Sequence, residues 1–483
     1  MSSSFFVKKA KPIASTLPSS LPRRLTLFHL ILLGVSSTLG TGVFFVMAET
    51  VPIAGPGVVL SFVLAATTAG LTALCYAEVA CALPVSGSSY TFTYITMGEG
   101  MAVLVAACLI LEWGIAGAAV SVGWSSYLNE LVYSLSNHEI PLVLRGSPFI
   151  NNVSGLVPGS GSYLNLPAVI LVWLCTLLLL RGSRDSARLN TILTITKVLV
   201  LVLFVLMALP VFETQNFAPF LPHGVNGVGA AAAVVFFSFV GLDAAVNASE
   251  EAINPQRNLP IAIIGALMIV TSVYIMVAVS CLGVQPAIEF IGRKAGLAAI
   301  LQEATQSTWA GVMLAAGAVV SIFSVALVSL FCQARIYFSM ARDGMLPERL
   351  SRVDPQTFCP RASTLLSALL VTPLAAFLPS HVLWGMVSMG TLVAFMAVAT
   401  SLILLRNQKP ASQGEAVPLS FRVPFYPYTP LASIAACLYL IANLSTTVYW
   451  MFSSWMAVAL LFYIVYGRHG TKRVRANQGK IAT

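Results

Sequence analysis

The sequence predicts an all-α integral membrane protein with twelve transmembrane helices. Three observations carry this: composition, the texture of the apolar runs, and the placement of the basic residues. Of 483 residues, 58% are hydrophobic and 9% charged, and the mean hydropathy is +0.88; soluble domains run nearer half apolar and a quarter charged. Runs such as Ile170 to Leu180 and Val198 to Leu209 are apolar on every face, which excludes the alternating segments of about 10 residues that build a transmembrane β-barrel. At roughly 20 apolar residues per crossing, the chain has room for about a dozen helices and no sizeable soluble domain.

Breaks at charged residues and Pro/Gly clusters place the spans near 26–50, 57–83, 99–133, 163–180, 190–212, 227–251, 260–284, 310–341, 363–379, 382–405, 429–448 and 451–467. Twelve spans put both termini on one side, and the Lys/Arg bias tests that count. One side receives 21 basic residues: five in the N-terminal segment, the groups around Arg184, Arg257, Arg349 and Lys409, and five in the tail from Arg468. The other side receives only Arg145, Arg293 and Lys294. Both termini are therefore expected in the cytoplasm. The net charge of +9 then follows from membrane topology and calls for no nucleic-acid partner. No small-residue cleavage site closely follows the first apolar run, so no removable signal peptide is expected.

Two spans read as interrupted. The first carries Gly34-Val-Ser-Ser-Thr-Leu-Gly-Thr-Gly-Val-Phe44 at mid-depth, and the sixth carries Phe236-Phe-Ser-Phe-Val-Gly-Leu-Asp243. Glycines and hydroxyls make poor helix and exposed backbone. Either segment alone is accounted for by close helix packing on small residues. At matched positions five helices apart, the pair is the signature of an inverted-repeat transporter, whose site lies where interrupted helices meet at the midplane. The organisation expected is an N-terminal segment (1–25), two five-helix halves (26–212 and 227–405), two further helices (429–467) and a basic cytoplasmic tail (468–483).

A broken helix exposes free N–H groups at one half-helix end and free C=O groups at the other. The N–H groups around Gly40, Thr41 and Gly42, with the Thr41 hydroxyl, suit a carboxylate. Carbonyls from Phe237 to Val240 suit an ammonium. An α-amino acid carries both groups, although any small anion can use the first half of such a site.

Intramembrane ionisable residues are functional candidates. Lys197 lies seven residues into the fifth span. An ammonium there stands where a metal cation would otherwise bind, and burial lets its proton come and go; the plainer alternative is a lysine whose stem reaches the cytoplasmic interface. Glu112, in Leu109-Ile-Leu-Glu-Trp-Gly, has no cation within a helical turn. It needs a partner from another helix, a proton or a cationic substrate, or it is a structural hydrogen-bonded carboxyl. For Asp243, anchoring the unwound segment and a role in transport stand side by side. Glu78, Glu250, Glu251 and Arg335 near the cytoplasmic boundary, and Glu49 and Glu130 near the external one, read as gates or loop anchors. The eight cysteines lie singly, with no CxxC pair and no histidine at metal-ligand spacing, so they read as small apolar packing residues. No metal and no cofactor is called for. All five histidines lie at or beyond span ends, which disfavours a membrane-embedded enzyme.

Seven motifs occur in order over nearly the whole chain: Gly40-Thr-Gly-Val-Phe44, Tyr76-Ala-Glu-Val-Ala-Cys-Ala-Leu-Pro-Val-Ser-Gly-Ser-Ser-Tyr90, Leu111-Glu-Trp113, Phe239-Val-Gly-Leu-Asp243, Glu250-Glu-Ala-Ile-Asn-Pro-Gln-Arg-Asn-Leu-Pro260, Ala334-Arg-Ile-Tyr-Phe-Ser-Met-Ala-Arg-Asp-Gly-Met-Leu-Pro347 and Phe421-Arg-Val-Pro-Phe425. Together they resemble the amino acid-polyamine-organocation (APC) superfamily and, within it, the bacterial twelve-helix members of the cationic amino acid transporter family. The resemblance implies a LeuT-type fold of inverted five-helix repeats, alternating access and an α-amino acid substrate. It places the carboxylate on Thr38, Thr41 and Gly42 and the ammonium on the Phe237 and Val240 carbonyls. It assigns proton coupling to Lys197, whose charge argues against sodium, and turns Ser329 toward the pocket.

The expectation is a proton-coupled amino acid transporter of the cytoplasmic membrane with no covalent chemistry of its own. Phe237 and Phe239 are candidates to close over the substrate from outside. Ser329 leaves room for a long side chain and Glu112 offers a counter-charge, which tilts the reading toward arginine, lysine or ornithine. Small neutral substrates such as alanine, and an exchanger or sensor on the same fold, stay open. No cysteine is clearly external, so no covalently linked partner subunit is expected.

Overall fold

The computed structural model describes residues 23–85, 87–136, 138–152, 155–158, 161–290, 297–305, 308–378, 380–407, 421–468 and 471. Among these, eight helical stretches are long and apolar enough to cross a membrane: Glu49–Ala82, Glu99–Ser136, Arg188–Val211, Gly224–Asn247, Pro255–Val284, Trp309–Arg342, Leu383–Asn407 and Thr446–Gly467. Four shorter apolar helices, Leu27–Thr38, Leu166–Leu180, Arg361–Phe377 and Tyr428–Ala442, complete the set. Each of the twelve segments expected from hydropathy overlaps one of these, the first chiefly over Leu27–Thr38.

The first segment is two helices, α1 (Leu27–Thr38) and α2 (Thr41–Ala54), followed by α3 (Val58–Ala82) and the short α4 (Ser88–Thr96). The third is α5 (Glu99–Leu109), a π-helical turn at Ile110–Ile115, and α6 (Ala116–Ser136). A hairpin of β1 (Phe149–Asn152) and β2 (Gly155–Pro158) follows, pairing Phe149 with Pro158 and Asn152 with Gly155; hydropathy gave no sign of it. Then come α7 (Leu166–Leu180), α8 (Ser183–Ala208), α9 (Gly224–Val235) and α10 (Ala244–Asn247). The remainder is α11 (Pro255–Val284), α12 (Leu297–Thr305), α13 (Thr308–Arg342), α14 (Arg361–Phe377), α15 (Ser380–Asn407), α16 (Tyr428–Ala442) and α17 (Thr446–Phe462).

The core is assembled from α3 on α11, α6 on α13, and α1 against α8, α11 and α13. Small residues set the closest crossings: a Cβ on Gly34 of α1 would lie 2.8 Å from the Ala266 Cβ of α11. Outward faces are strongly apolar, with Ile170, Leu177, Leu199, Leu369 and Trp450 all exposed. Apolar surface of that extent fits lipid rather than water.

Charged residues gather at the end of the bundle that carries the N-terminal segment. Arg335 of α13 pairs with Glu251 at 2.5 Å, both fully enclosed, Arg342 pairs with Glu250 at 2.9 Å, and Arg406 of α15 pairs with Glu78 of α3 at 2.5 Å. The Glu251 carbonyl accepts the N–H groups of Arg24 and Leu25, tying the N-terminal segment to the end of the sixth span. Glu78, Glu250, Glu251 and Arg335, four of the six residues expected to act as gates or loop anchors, thus sit in ion pairs.

Removing one partner of an enclosed pair strands the other charge, at a cost of about 3–5 kcal/mol. Arg335→Met is expected to lower the melting temperature of the purified protein by many degrees. Combining it with Glu251→Met restores most of the loss, because the stranded carboxylate is gone. A double variant as unstable as the single one contradicts this account.

Candidate functional site

The first break follows from Leu39 and Gly40. Leu39 leaves the helix with ψ 84° and Gly40 adopts φ −128°, ψ −145°, so α1 ends at Thr38 and α2 restarts at Thr41. The last carbonyls of α1 then lack intrahelical partners. Two neighbouring helices supply them. Lys197 of α8, fully buried, donates from Nζ to the carbonyls of Ser36 and Leu39, both at 2.8 Å. Its charge also meets the negative end of the α1 dipole. Asn190, two turns earlier on the same face of α8, accepts the Ser36 hydroxyl at 2.6 Å. Tyr274 of α11 places its hydroxyl 2.5 Å from the Thr38 carbonyl and 2.7 Å from the Ser238 carbonyl, so one phenol serves both interrupted spans.

The second break is a 3-10 turn at Phe236–Phe239, after which Val240 is extended (φ −62°, ψ 138°) and Gly241 turns at φ +98°. Only glycine takes that φ without strain. The two breaks touch directly. Ser37 donates to the Gly241 carbonyl at 2.6 Å, and a Cβ on Gly42 would lie 2.3 Å from Ser238 Oγ and 2.9 Å from its Cα.

A small cavity, of about 20 Å3, lies where they cross. Its lining includes Thr38, Gly42, Glu112, Phe237, Val240 and Ser329, so six of the seven residues expected around a substrate share one wall. The seventh, Thr41, begins α2, and its side chain lies outside the described residues. Glu112 reaches the wall on the π turn of the third segment, a local widening that often accompanies functional sites. It is fully enclosed, and its oxygens make no well-formed hydrogen bond among the described residues. The Thr391 hydroxyl of α15 and the Gly241 N–H are the groups it faces. The rest of the lining mixes apolar Ala116, Val120 and Val325 with Trp113, Ser37, Ser238 and the glycines of the two breaks.

The structure bears on three further expectations. Phe239 does not line the cavity; its ring packs edge-on against Tyr274 with centroids 5.2 Å apart. Asp243 lies off the cavity, fully buried, with Oδ2 accepting the Ser88 hydroxyl at 2.8 Å, which is the anchoring geometry. Two of the carbonyls expected to be open are already engaged: Phe237 accepts the Val240 N–H at 3.2 Å and Ser238 accepts Tyr274. Sequence reasoning missed Tyr274, Asn190 and Trp384, although a lone tyrosine inside the apolar run Met268–Ser280 was a usable signal.

Gly42→Ala forces a methyl against Ser238 backbone that cannot give way, and overpacking of this kind costs about 1–3 kcal/mol. A lower melting temperature is expected for it, whereas Gly70→Ala, whose nearest neighbour would be 3.6 Å away, leaves the melting temperature unchanged. Equal behaviour of the two variants contradicts the close crossing.

The family model described as amino acid permease matches residues 25–472. The branched-chain amino acid permease BcaP of Bacillus subtilis is 39% identical over 453 residues, 94% of this chain and 95% of that protein. The methylthioribose transporter of Bacillus subtilis is 37% identical over 471 residues, covering 97% and 98%. Human cationic amino acid transporter 4 is 37% identical over 419 residues, 85% of this chain and 64% of that protein. With a crossing of two interrupted helices over a small central cavity and a family match along almost its full length, the chain belongs to the amino acid permease family of multi-pass membrane transporters, within the APC superfamily.

Proposed function

We propose that the protein is a proton-coupled secondary transporter of L-amino acids in the cytoplasmic membrane, with twelve crossings and both termini inside. Residues 26–212 and 227–405 act as two inverted five-helix halves of a LeuT-type fold, and 429–467 add two helices. The interruptions in the first and sixth spans, five helices apart, support this arrangement. All eight cysteines are buried and in no disulfide among the described residues, and the reading includes no disulfide-linked subunit.

The single observation that carries the coupling is the Lys197 ammonium on the Ser36 and Leu39 carbonyls. A positive charge that one proton makes or removes occupies the place where a metal cation would neutralise those dipoles, so the exchangeable cation is a proton. Losing it leaves two carbonyls in a dry interior with a weaker donor, and the first break is freed to move. The substrate carboxylate sits on the N–H groups that open α2, at Thr41 and Gly42, beside Thr38. Its ammonium takes second lone pairs of the Phe237 and Val240 carbonyls.

An apolar side chain fits the remaining space best. Ala116, Val120 and Val325 face it, while Glu112 is turned to Gly241 and Thr391. The resemblance to a branched-chain permease supports the same reading. A cationic side chain is the second reading, favoured by Glu112 on the cavity wall and by the small Ser329.

Uptake into proteoliposomes under an inward proton gradient without sodium tests this. L-leucine is expected to accumulate and to be released by a protonophore, with L-arginine a weak competitor. Lys197→Ala is expected to bind L-leucine yet fail to concentrate it. Wild-type accumulation and pH dependence in Lys197→Ala contradict the coupling role, arginine accumulation selects the second reading, and binding without accumulation in the wild type points to an exchanger or sensor.

A further inference from the structure

Four apolar residues form a cluster separate from the main core: Ala116, Phe237, Val240 and Val387, with Ile115 and Trp384 packed against them. Three of the four, Ala116, Phe237 and Val240, also line the central cavity. The cluster is therefore the back of the cavity wall, seen from the side away from the ligand space. Phe237 sits on the α9 side of the second break, and Trp384 lies in the first turns of α15, so the cluster caps the cavity toward the end of the bundle opposite the ion pairs.

Phe237 and Trp113 are the large aromatics of the wall, and Phe237 is the one that belongs to the separate cluster. Its ring stacks on the Trp384 indole with centroids 5.5 Å apart and planes 20° apart, an offset-stacked pair. Trp384, Val387 and Thr391 lie at i, i+3 and i+7, one face of α15, and Thr391 on that face meets Glu112. The same helix is fixed in place at Gly390, where a Cβ would come within 2.9 Å of the Cys108 carbonyl. A rigid helix thus presents an indole as the rest position for the Phe237 ring.

We propose that Trp384 is a specificity-determining residue of the permease: without touching the substrate, it sets how far Phe237 stands back and so the size of side chain the cavity accepts. This rests on the amino acid transport reading above. With Trp384 in place, Phe237 is held at one depth and the wall has one width. Without it, the ring has open space behind it and retreats, which relaxes the upper limit on side-chain size and weakens closure over small ligands. Sequence gave no hint of this role, because a tryptophan near the end of an apolar span reads as an interface anchor.

The test is equilibrium binding of L-alanine, L-leucine and L-phenylalanine to purified wild type, Trp384→Ala and Trp384→Phe, with melting temperatures taken alongside. Trp384→Ala is expected to lose affinity for L-alanine by about two- to tenfold, the weight of one aromatic pair, while L-phenylalanine is held or gains. Trp384→Phe, which keeps a ring behind Phe237, returns the wild-type order. A merely structural role weakens all three ligands by one common factor together with the melting temperature, and that result overturns the proposal. So does a Trp384→Ala profile that matches wild type. Failure of the wild type to bind any of the three refutes the neutral amino acid reading on which the proposal rests and is separate from either outcome.

Discussion

A helix interrupted in the middle of a membrane leaves carbonyl groups that lipid cannot satisfy, and each one unpaired costs free energy on the scale of a lost hydrogen bond or more. Everything at the centre of this protein follows from how that demand is met. The carbonyls at the end of α1 are taken up by the Lys197 ammonium and the Tyr274 hydroxyl, contributed by helices that are themselves continuous. Lys197 and Tyr274 thereby become the groups whose loss changes the break, and the break is where the cavity lies.

The same two partners explain why the interrupted spans act together. Tyr274 reaches a carbonyl on each, and Ser37 and Gly42 of the first span lie against Gly241 and Ser238 of the second. Lys197 is thereby joined to the second break by an unbroken series of hydrogen bonds and packing contacts. Around this centre the two ends of the bundle are closed by different chemistry. Enclosed Arg-Glu pairs tie α13 to the end of the sixth span on one side, and an aromatic stack backs the cavity on the other. Ion pairs hold strongly while dry and weaken when water enters.

Much of this was legible in the sequence. Twelve apolar segments, their interruptions at Gly40 and Gly241, and the depth of Lys197 are all one-dimensional signals, because hydropathy and glycine placement are local properties. Thr38, Gly42, Phe237 and Val240 on the cavity lining were legible because a broken helix exposes its own neighbours, whereas Trp113, Val120 and Val325 on other helices were not. What stayed hidden depends on pairs from distant segments. The π turn that carries Glu112 has no composition of its own. Phe239 and Phe237 are two residues apart in a similar setting, yet one turns to Tyr274 and the other to the cavity, a choice made by the 3-10 geometry. Asp243 reads as a free carboxylate until Ser88, 155 positions away, donates to it. Trp384 becomes meaningful only when α15 is seen packed over the sixth span.

The measurement that bears most directly on the central claim is amide hydrogen exchange across residues 39–43 and 237–241, comparing wild type with Lys197→Met in nanodiscs at one pH. The side-chain stem is kept and the charge is removed, so any change reports the ammonium. Faster exchange in both segments, with α3 and α13 unchanged, is the result expected if Lys197 holds the first break and the first break holds the second. Exchange indistinguishable from wild type in both segments contradicts that dependence.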